Sequence, residues 1–136
     1  MKILVDTSVW SLALRKKPKN SEELVIISKL QGMITNSLVV VLGTIRQELL
    51  SGISDDSQFE KLKTAMRYYD DFRLYSEHYE TAAKFHNLCR KKGIQGSHTD
   101  FLICAVANME RFSIFTLDKD FENYQNYIDI SLISHS

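Results

Sequence analysis

Short apolar segments alternate with longer amphipathic ones along the chain. Ile3–Val5 and Leu38–Leu42 are continuous and rich in β-branched residues, a pattern typical of strands buried on both faces of a parallel sheet. We expect Leu38–Leu42 to be a central strand. Further strands are predicted at Ser113–Thr116 and Ile128–Ile133, and a short one at Phe72–Tyr75.

The segments between these strands have the apolar spacing of helices. Capping residues at their starts and glycines at several of their ends mark the boundaries, and Thr44 to Gln47 has the form of a capping box. Helices are predicted over Ser8–Leu14, from Ser21 to Gly32, from Thr44 to about Gly52, from Asp55 or Asp56 to about Tyr69, from Ser76 to Gly93, from Thr99 to Met109, and over Lys119–Tyr124.

The alternation of strands and helices predicts an α/β fold. We expect a single domain over residues 1–136, with a mainly parallel central sheet of four to five strands flanked by helices on both faces. In open sheets of this kind, ligands bind outside the carboxyl ends of the strands, where the strand order reverses. The residues that follow the strands are therefore the candidates for function.

Acidic residues occupy several of these positions. Asp6 directly follows the first strand, Glu48 lies on the helix entered after the second, and Asp100 opens a later helix. Asp118 follows the strand that ends at Thr116, and Asp120 comes two residues later. Each of them alone is explained as a helix cap or a surface residue. Carboxylates gathered at one edge repel one another unless a cation neutralises them, and Mg²⁺, with Mn²⁺ as a substitute, prefers such oxygen ligands.

The composition argues against several classes of protein and against a zinc site. The 136 residues carry a formal net charge of +0, which argues against coating nucleic acid by bulk charge alone. No apolar run approaches the roughly 20 residues of a membrane-spanning helix, and we expect a cytoplasmic protein with no membrane partner. The spacing of histidines and cysteines does not indicate zinc; His78, His86, His98 and His135 are scattered, and we expect Cys89 and Cys104 to be buried free thiols.

Basic residues form two local clusters. Arg15, Lys16, Lys17 and Lys19 form the first, and Lys84, Arg90, Lys91 and Lys92 form the second. They are either solvated helix ends or surfaces that contact the phosphates of RNA, and Arg15, Lys16, Lys17, Arg90, Lys91 and Lys92 are the candidates for the second role.

Four motifs in order resemble those of a PIN-domain ribonuclease of the VapC toxin type. They are Ile3–Trp10, Arg46–Gly52, Thr99–Ala107 and Thr116–Phe121, and the resemblance covers essentially the whole chain. It implies a PIN-like domain that acts as a metal-dependent endoribonuclease, the toxin of a toxin–antitoxin pair. An RNA substrate, a cognate antitoxin and a homodimer are the expected partners.

The resemblance also implies roles for the acidic residues. Asp6, Glu48, Asp100 and Asp118 match the family's catalytic positions around Mg²⁺ or Mn²⁺, and the threonine matching Thr116 supports that site. We assign Asp6, Asp100 and Asp118 as metal ligands. Glu48 either completes the coordination or orients the attacking water. Asp118 and Asp120 both stand near the family's fourth acidic position, and either of them coordinates the metal there, directly or through water. Thr7 or Ser8 is placed to hydrogen-bond a ligand or a phosphate at the start of the first helix.

Two other classes of function remain open. One is a non-catalytic module that binds a partner and DNA as a component of a repressor complex. The other is a Mg²⁺-dependent phosphoacceptor domain, but Asp6 stands alone after its strand and position 8 is Ser8, so the acidic patterns of those domains are absent.

Overall fold

The computed structural model describes residues 1–135, which form four strands and seven helices. The strands are β1 (Ile3–Val5), β2 (Val39–Val40), β3 (Ser113–Phe115) and β4 (Ser131–Leu132). The helices are α1 (Thr7–Leu14), α2 (Ser21–Thr35), α3 (Gly43–Leu50), α4 (Asp56–Met66), α5 (Ser76–Lys91), α6 (His98–Glu110) and α7 (Asp120–Gln125). Among these helices, none is long and apolar enough to cross a membrane.

The strands form one parallel sheet in the order β2-β1-β3-β4. Leu4 aligns with Val40 on one side and with Ile114 on the other, and Ile114 in turn aligns with Leu132. The chain leaves β1 toward β2 and leaves β3 toward β4, in opposite directions. The point where the strand order reverses therefore lies between the carboxyl ends of β1 and β3.

Helices cover both faces of this sheet, as the sequence predicts. Right-handed crossovers that run in opposite directions along a sheet place their helices on opposite faces. The two central strands are consequently buried: Leu4, Val5, Ile114 and Phe115 are all 0% exposed. Helix α6 packs against α5 and β3, and its residues Phe101–Ala107 are buried without interruption. Both predicted buried thiols, Cys89 and Cys104, lie in this core.

The prediction of a central strand at Leu38–Leu42 is wrong. Only Val39–Val40 is a strand, and it stands at the edge of the sheet. Residues that follow α4 cover this edge, because the Phe72 amide donates to the Val41 carbonyl at 2.8 Å. That coverage explains why the run from Leu38 to Leu42 is continuously apolar. The strand predicted at Phe72–Tyr75 does not form, and a single bridge between Val41 and Asp71 takes its place.

Several helix boundaries also differ from the predicted ones. Helix α2 passes through the exposed Gly32 because Met33 is buried beyond it, and Ser37 at φ 56° follows its end. The predicted capping box at Thr44 does not form, since α3 begins at Gly43 with no side-chain cap. The helix caps are Asn20 rather than Ser21 and Ser97 rather than Thr99, the last strand is confined to Ser131–Leu132, and α7 covers Asp120–Gln125 rather than Lys119–Tyr124.

Candidate functional site

Asp6 lies at the reversal point of the sheet, between the ends of β1 and β3. Its amide donates to the Phe115 carbonyl at 2.9 Å, which continues the pairing of the two strands by one step. Its carboxylate oxygen Oδ2 accepts two hydroxyls, that of Thr116 at 2.7 Å and that of Ser8 at 2.9 Å. Asp6 is only 6% exposed, so these bonds hold a buried carboxylate in one orientation.

The same two hydroxyls also organise the loop after β3. Because each hydroxyl has one proton, which goes to Asp6, each oxygen remains an acceptor. Ser8 Oγ accepts the Leu117 amide at 2.9 Å, and Thr116 Oγ1 accepts the Asp118 amide at 3.0 Å. The orientation of Asp6 and the backbone at Asp118 are therefore coupled through Ser8 and Thr116.

Asp100 enters the site from the first turn of α6. The Ser97 hydroxyl caps the helix by accepting the Asp100 amide at 3.0 Å, and the hydroxyl of Tyr124 donates to Asp100 Oδ2 at 2.7 Å. Burial raises the pKa of Asp100, and so does repulsion by Asp6 and Asp118, while the Tyr124 and Ser97 hydrogen bonds oppose the rise. The pKa of Asp100 is thus sensitive to carboxylates of two other elements, Asp6 after β1 and Asp118 after β3.

Gly96 allows the close approach of Tyr124. A Cβ atom at position 96 would lie 2.2 Å from the tyrosine hydroxyl oxygen and 2.9 Å from the ring of Phe101. The loop before α6 can thus pass over Tyr124 only because residue 96 has no side chain. Burial, together with its bond to the Asp100 carboxylate, also raises the pKa of Tyr124, so the phenol stays a hydrogen-bond donor.

Three carboxylates form a group with a spacing suited to one cation. Oxygens of Asp100, Asp118 and Asp120 all lie within 4.8 Å of one another. Asp118 Oδ1 accepts the Asp120 amide at 2.9 Å, which places the two side chains at the start of α7. The geometry therefore includes Asp120 alongside Asp118 and leaves both available as ligands.

Glu48, on α3, is connected to the site through Thr7. The Thr7 hydroxyl donates to Glu48 Oε1 at 2.8 Å, which ties the exposed Glu48 to the residue that follows Asp6. Thr7 and Ser8 thus orient one carboxylate each. These contacts make them positioning residues of the site, and a contact of either residue with a phosphate stays a prediction.

The donor set fits a hard divalent cation. Every candidate ligand is a carboxylate oxygen, Asp100 is repelled by its acidic neighbours, and no thiol or imidazole belongs to the group within the described chain. Mg²⁺ and Mn²⁺ prefer such oxygen donors. A cation bound here would offset the repulsion that the side chains now experience.

The basic clusters have different surroundings. The guanidinium of Arg15 pairs with Glu23 at 2.8 Å, so part of its charge is engaged within the protein. Lys16 and Lys17 are exposed, as are Arg90, Lys91 and Lys92 at the end of α5 and just beyond it. Lys92 Nζ lies 5.8 Å from the centre of the Tyr127 ring.

The structure brings together three pairs of residues that the sequence did not connect. The rings of His86 and His98 stack at 5.3 Å, although the histidines are scattered along the chain. His135 contacts the carbonyl of Thr116 through Nε2, and Tyr124 contacts Asp100. No local pattern links residues so distant in sequence; the only available signal for Tyr124 was its position three residues after Phe121 on one helix face.

A family model decides what this arrangement is. The model for the PIN domain matches residues 3–127, which is most of the chain. The chain belongs to the PIN domain family. The resemblance inferred from the four motifs is thereby confirmed, as is the predicted fold class.

Solved structures resemble this PIN domain over nearly its whole length. FitAcB from Neisseria gonorrhoeae matches with a TM-score of 0.77 at 17% identity, over 98% of this chain and 97% of the other. VapBC2 from Rickettsia felis, bound to a promoter DNA fragment, matches with a TM-score of 0.77 at 15% identity, over 98% of each chain. VapBC-1 from nontypeable Haemophilus influenzae matches with a TM-score of 0.75 at 15% identity, over 99% and 98%. No curated protein matches the sequence significantly.

Proposed function

We propose that this PIN domain is a Mg²⁺- or Mn²⁺-dependent endoribonuclease and the toxin of a toxin–antitoxin pair. The observation that carries the proposal is the convergence of carboxylates from β1, α6 and the loop after β3 at the reversal point of the sheet. PIN domains are generally nucleases, and the similar structures include toxin–antitoxin complexes. An RNA substrate, a cognate antitoxin and a homodimer form part of the proposal.

The acidic residues have different roles in the proposed reaction. Asp6, Asp100 and Asp118 hold the cation, with Asp120 as a further ligand. A bound divalent cation lowers the pKa of water and offsets the negative charge that grows on the scissile phosphate. Glu48 completes the ligand set or accepts a proton from the attacking water in this proposal.

The remaining groups keep the carboxylates in position. Ser8 and Thr116 fix the orientation of Asp6 through their hydroxyl protons, and Thr116 also binds the Asp118 amide. Tyr124 orients Asp100 by donating a hydrogen bond to it, and this bond opposes the rise of the Asp100 pKa. The basic residues Lys16, Lys17, Arg90, Lys91 and Lys92 are the candidates for contacts with RNA phosphates away from the cation.

The test is cleavage of a labelled total RNA pool by purified protein, with Mg²⁺, with Mn²⁺ and with chelator. We expect metal-dependent cutting by the wild type and none by Asp100→Asn or Asp6→Asn. Asp129→Asn is the matched control. This variant makes the same change of charge at an exposed residue just before β4, at the amino ends of the strands, whereas the candidate site lies at their carboxyl ends. It should cut RNA like the wild type.

Binding of the metal gives a second measurement. A cation that binds only the folded protein raises its melting temperature. We expect millimolar Mg²⁺ to raise the melting temperature of the wild type and of Asp129→Asn, and not that of Asp100→Asn. Cutting by Asp100→Asn at the wild-type rate would refute the assignment of the site.

The DNA-bound relatives supply a second candidate function. VapBC2 and FitAB are both described in complexes with DNA fragments, so a role in a DNA-bound repressor complex is the alternative. It predicts that Asp6→Asn and Asp100→Asn leave the activity of the protein unchanged in a promoter-binding assay with its antitoxin. Absence of RNA cleavage under every metal by the folded wild type would favour this alternative.

A further inference from the structure

A cavity of about 580 Å³ lies beside the carboxylates and has no part in the function proposed so far. Its size is typical of ligand sites. It opens between three helices, and its walls include Thr44 of α3, Tyr79, Ala83 and His86 of α5, and His98 and Phe101 of α6.

Aromatic rings dominate one side of the cavity. His86 and His98 stack with centroids 5.3 Å apart and planes inclined by 19°, and Phe101 contacts His86 edge-on at 5.3 Å. Tyr79 is 55% exposed, so its ring faces solvent at this cavity instead of packing in the core. Stacked and exposed rings are the surfaces on which nucleobases are bound, because every base has a π-face.

The side chains that line the cavity favour an uncharged ligand. The described residues that line the cavity include no lysine, arginine, aspartate or glutamate, which disfavours a phosphate or a peptide with charged side chains. Polar groups are nevertheless present. The side-chain amide of Asn87 lines the cavity, as does Thr99, and the amide offers both a donor and an acceptor to a ligand.

The cavity and the carboxylates share the same helices. Thr44 lies four residues before Glu48 on α3, so the two side chains are on one face of that helix. Thr99, another wall residue, directly precedes Asp100 on α6. A nucleotide whose phosphate is at the carboxylates therefore has its neighbouring base within reach of the cavity.

We infer that this cavity binds one unpaired nucleobase of the RNA substrate and determines base preference next to the cleaved bond. The inference rests on the proposed endoribonuclease function and names a specificity site for it. The base stacks against Tyr79 and the His86–His98 pair, while Asn87 contacts its polar edge.

The test begins with binding in the absence of metal, so that no strand is cut. Anisotropy is measured for fluorescein-labelled hexauridylate, hexaadenylate and a ribose-phosphate hexamer without bases, in EDTA. We expect at least one base-bearing hexamer to bind the wild type about 5- to 100-fold more tightly than the hexamer without bases. Tyr79→Ala and His86→Ala should lose most of that difference.

Tyr68→Ala is the matched control for Tyr79→Ala. Tyr68 is 77% exposed and lies at a different cavity, beside β2. It should bind all hexamers like the wild type. Ala83→Leu provides a second variant, because it narrows the cavity at an exposed wall position without removing a ring, and it should weaken base-dependent binding as well.

The outcomes separate this inference from the proposed function. Equal affinity of the wild type for all hexamers, or equal losses in Tyr68→Ala and Tyr79→Ala, would overturn the base site. Metal-dependent RNA cleavage with the same cut positions in Tyr79→Ala and the wild type would also overturn it and leave the nuclease intact. A fall in molar mass of the cavity variants by light scattering, with unchanged base-dependent binding, would assign the cavity to contact between copies and overturn the inference.

Discussion

Replacing Tyr124 by phenylalanine tests how the protein holds a repelled carboxylate in place. The Tyr124 ring is 0% exposed, and its hydroxyl donates to Asp100 Oδ2 at 2.7 Å. Hydrogen bonds to charged groups contribute about 1.5–3 kcal/mol to stability. Asp100 is half-buried and water replaces part of the lost bond, so we expect the lower end, about 1.5 kcal/mol.

That loss is measurable by thermal unfolding. With an unfolding entropy of about 2.1 cal/mol/K per residue, a chain of this length loses about 3.5 °C in melting temperature for each kcal/mol. We therefore expect Tyr124→Phe to melt about 5 °C below the wild type at pH 7, without metal. Tyr127→Phe is the control, because Tyr127 is 43% exposed and its ring remains under Lys92; it should change stability by less than about 0.5 kcal/mol.

The same variant should affect metal binding in a pH-dependent way. The Tyr124 hydrogen bond lowers the pKa of Asp100, against the effects of burial and of neighbouring carboxylates. Without it the pKa rises further, and protons compete more strongly with the cation. Calorimetric titration with Mn²⁺ should show a larger loss of affinity at pH 6 than at pH 8. Equal stability and equal metal affinity of Tyr124→Phe and Tyr127→Phe would refute this reasoning.

Three further substitutions test the packing around the site. Burial and neighbouring carboxylates raise the pKa of Asp100, so the folded protein binds a proton at this carboxyl more tightly than the unfolded chain does. The folded protein therefore loses stability as the pH rises from the pKa of Asp100 in the unfolded chain through its pKa in the folded protein. Metal-free Asp100→Asn should therefore be more stable at pH 7, by about 0.5–2 kcal/mol in urea, with no gain at acid pH where the wild-type carboxyl is protonated in both states. Gly96→Ala should destabilise by about 1–3 kcal/mol because its Cβ meets Tyr124, whereas Gly32→Ala, in open space on a helix, should stabilise by about 0.5–1 kcal/mol; equal effects would contradict the contact. Arg46→Lys should lose about 1–3 kcal/mol, because one ammonium does not replace the three bonds of the guanidinium, and an unchanged urea midpoint would contradict this.

Local patterns were sufficient to predict the fold class and the edge of the sheet where the acidic residues meet. Asp6 and Asp118 each follow a short apolar strand, and the carboxyl ends of parallel strands share one edge, so their proximity follows from topology. The elements themselves depend on spacing and caps, which are short-range properties of the chain.

Long-range packing was not predictable in the same way. Leu38–Leu42 is as apolar as a central strand, yet it is covered by the chain after α4 instead of by a second strand. The bond between Tyr124 and Asp100 and the stack of His86 on His98 depend on how helices pack, and single-sequence patterns carry no signal for such contacts.

The pairing of β1 with β3 also determines when the site can exist during folding. The hydrogen bond between Thr116 and Asp6 spans 110 positions of the chain, so it closes a very long loop. Contacts between residues so far apart in sequence form late in folding. The chain loses conformational entropy in closing the loop before the contact contributes any favourable energy. During synthesis, Asp6 is made early, and nearly the whole domain must follow before the Thr116 hydroxyl is available to it. The arrangement of Asp6 and Asp118 around the Thr116 hydroxyl is therefore acquired only when β3 joins β1 in the sheet.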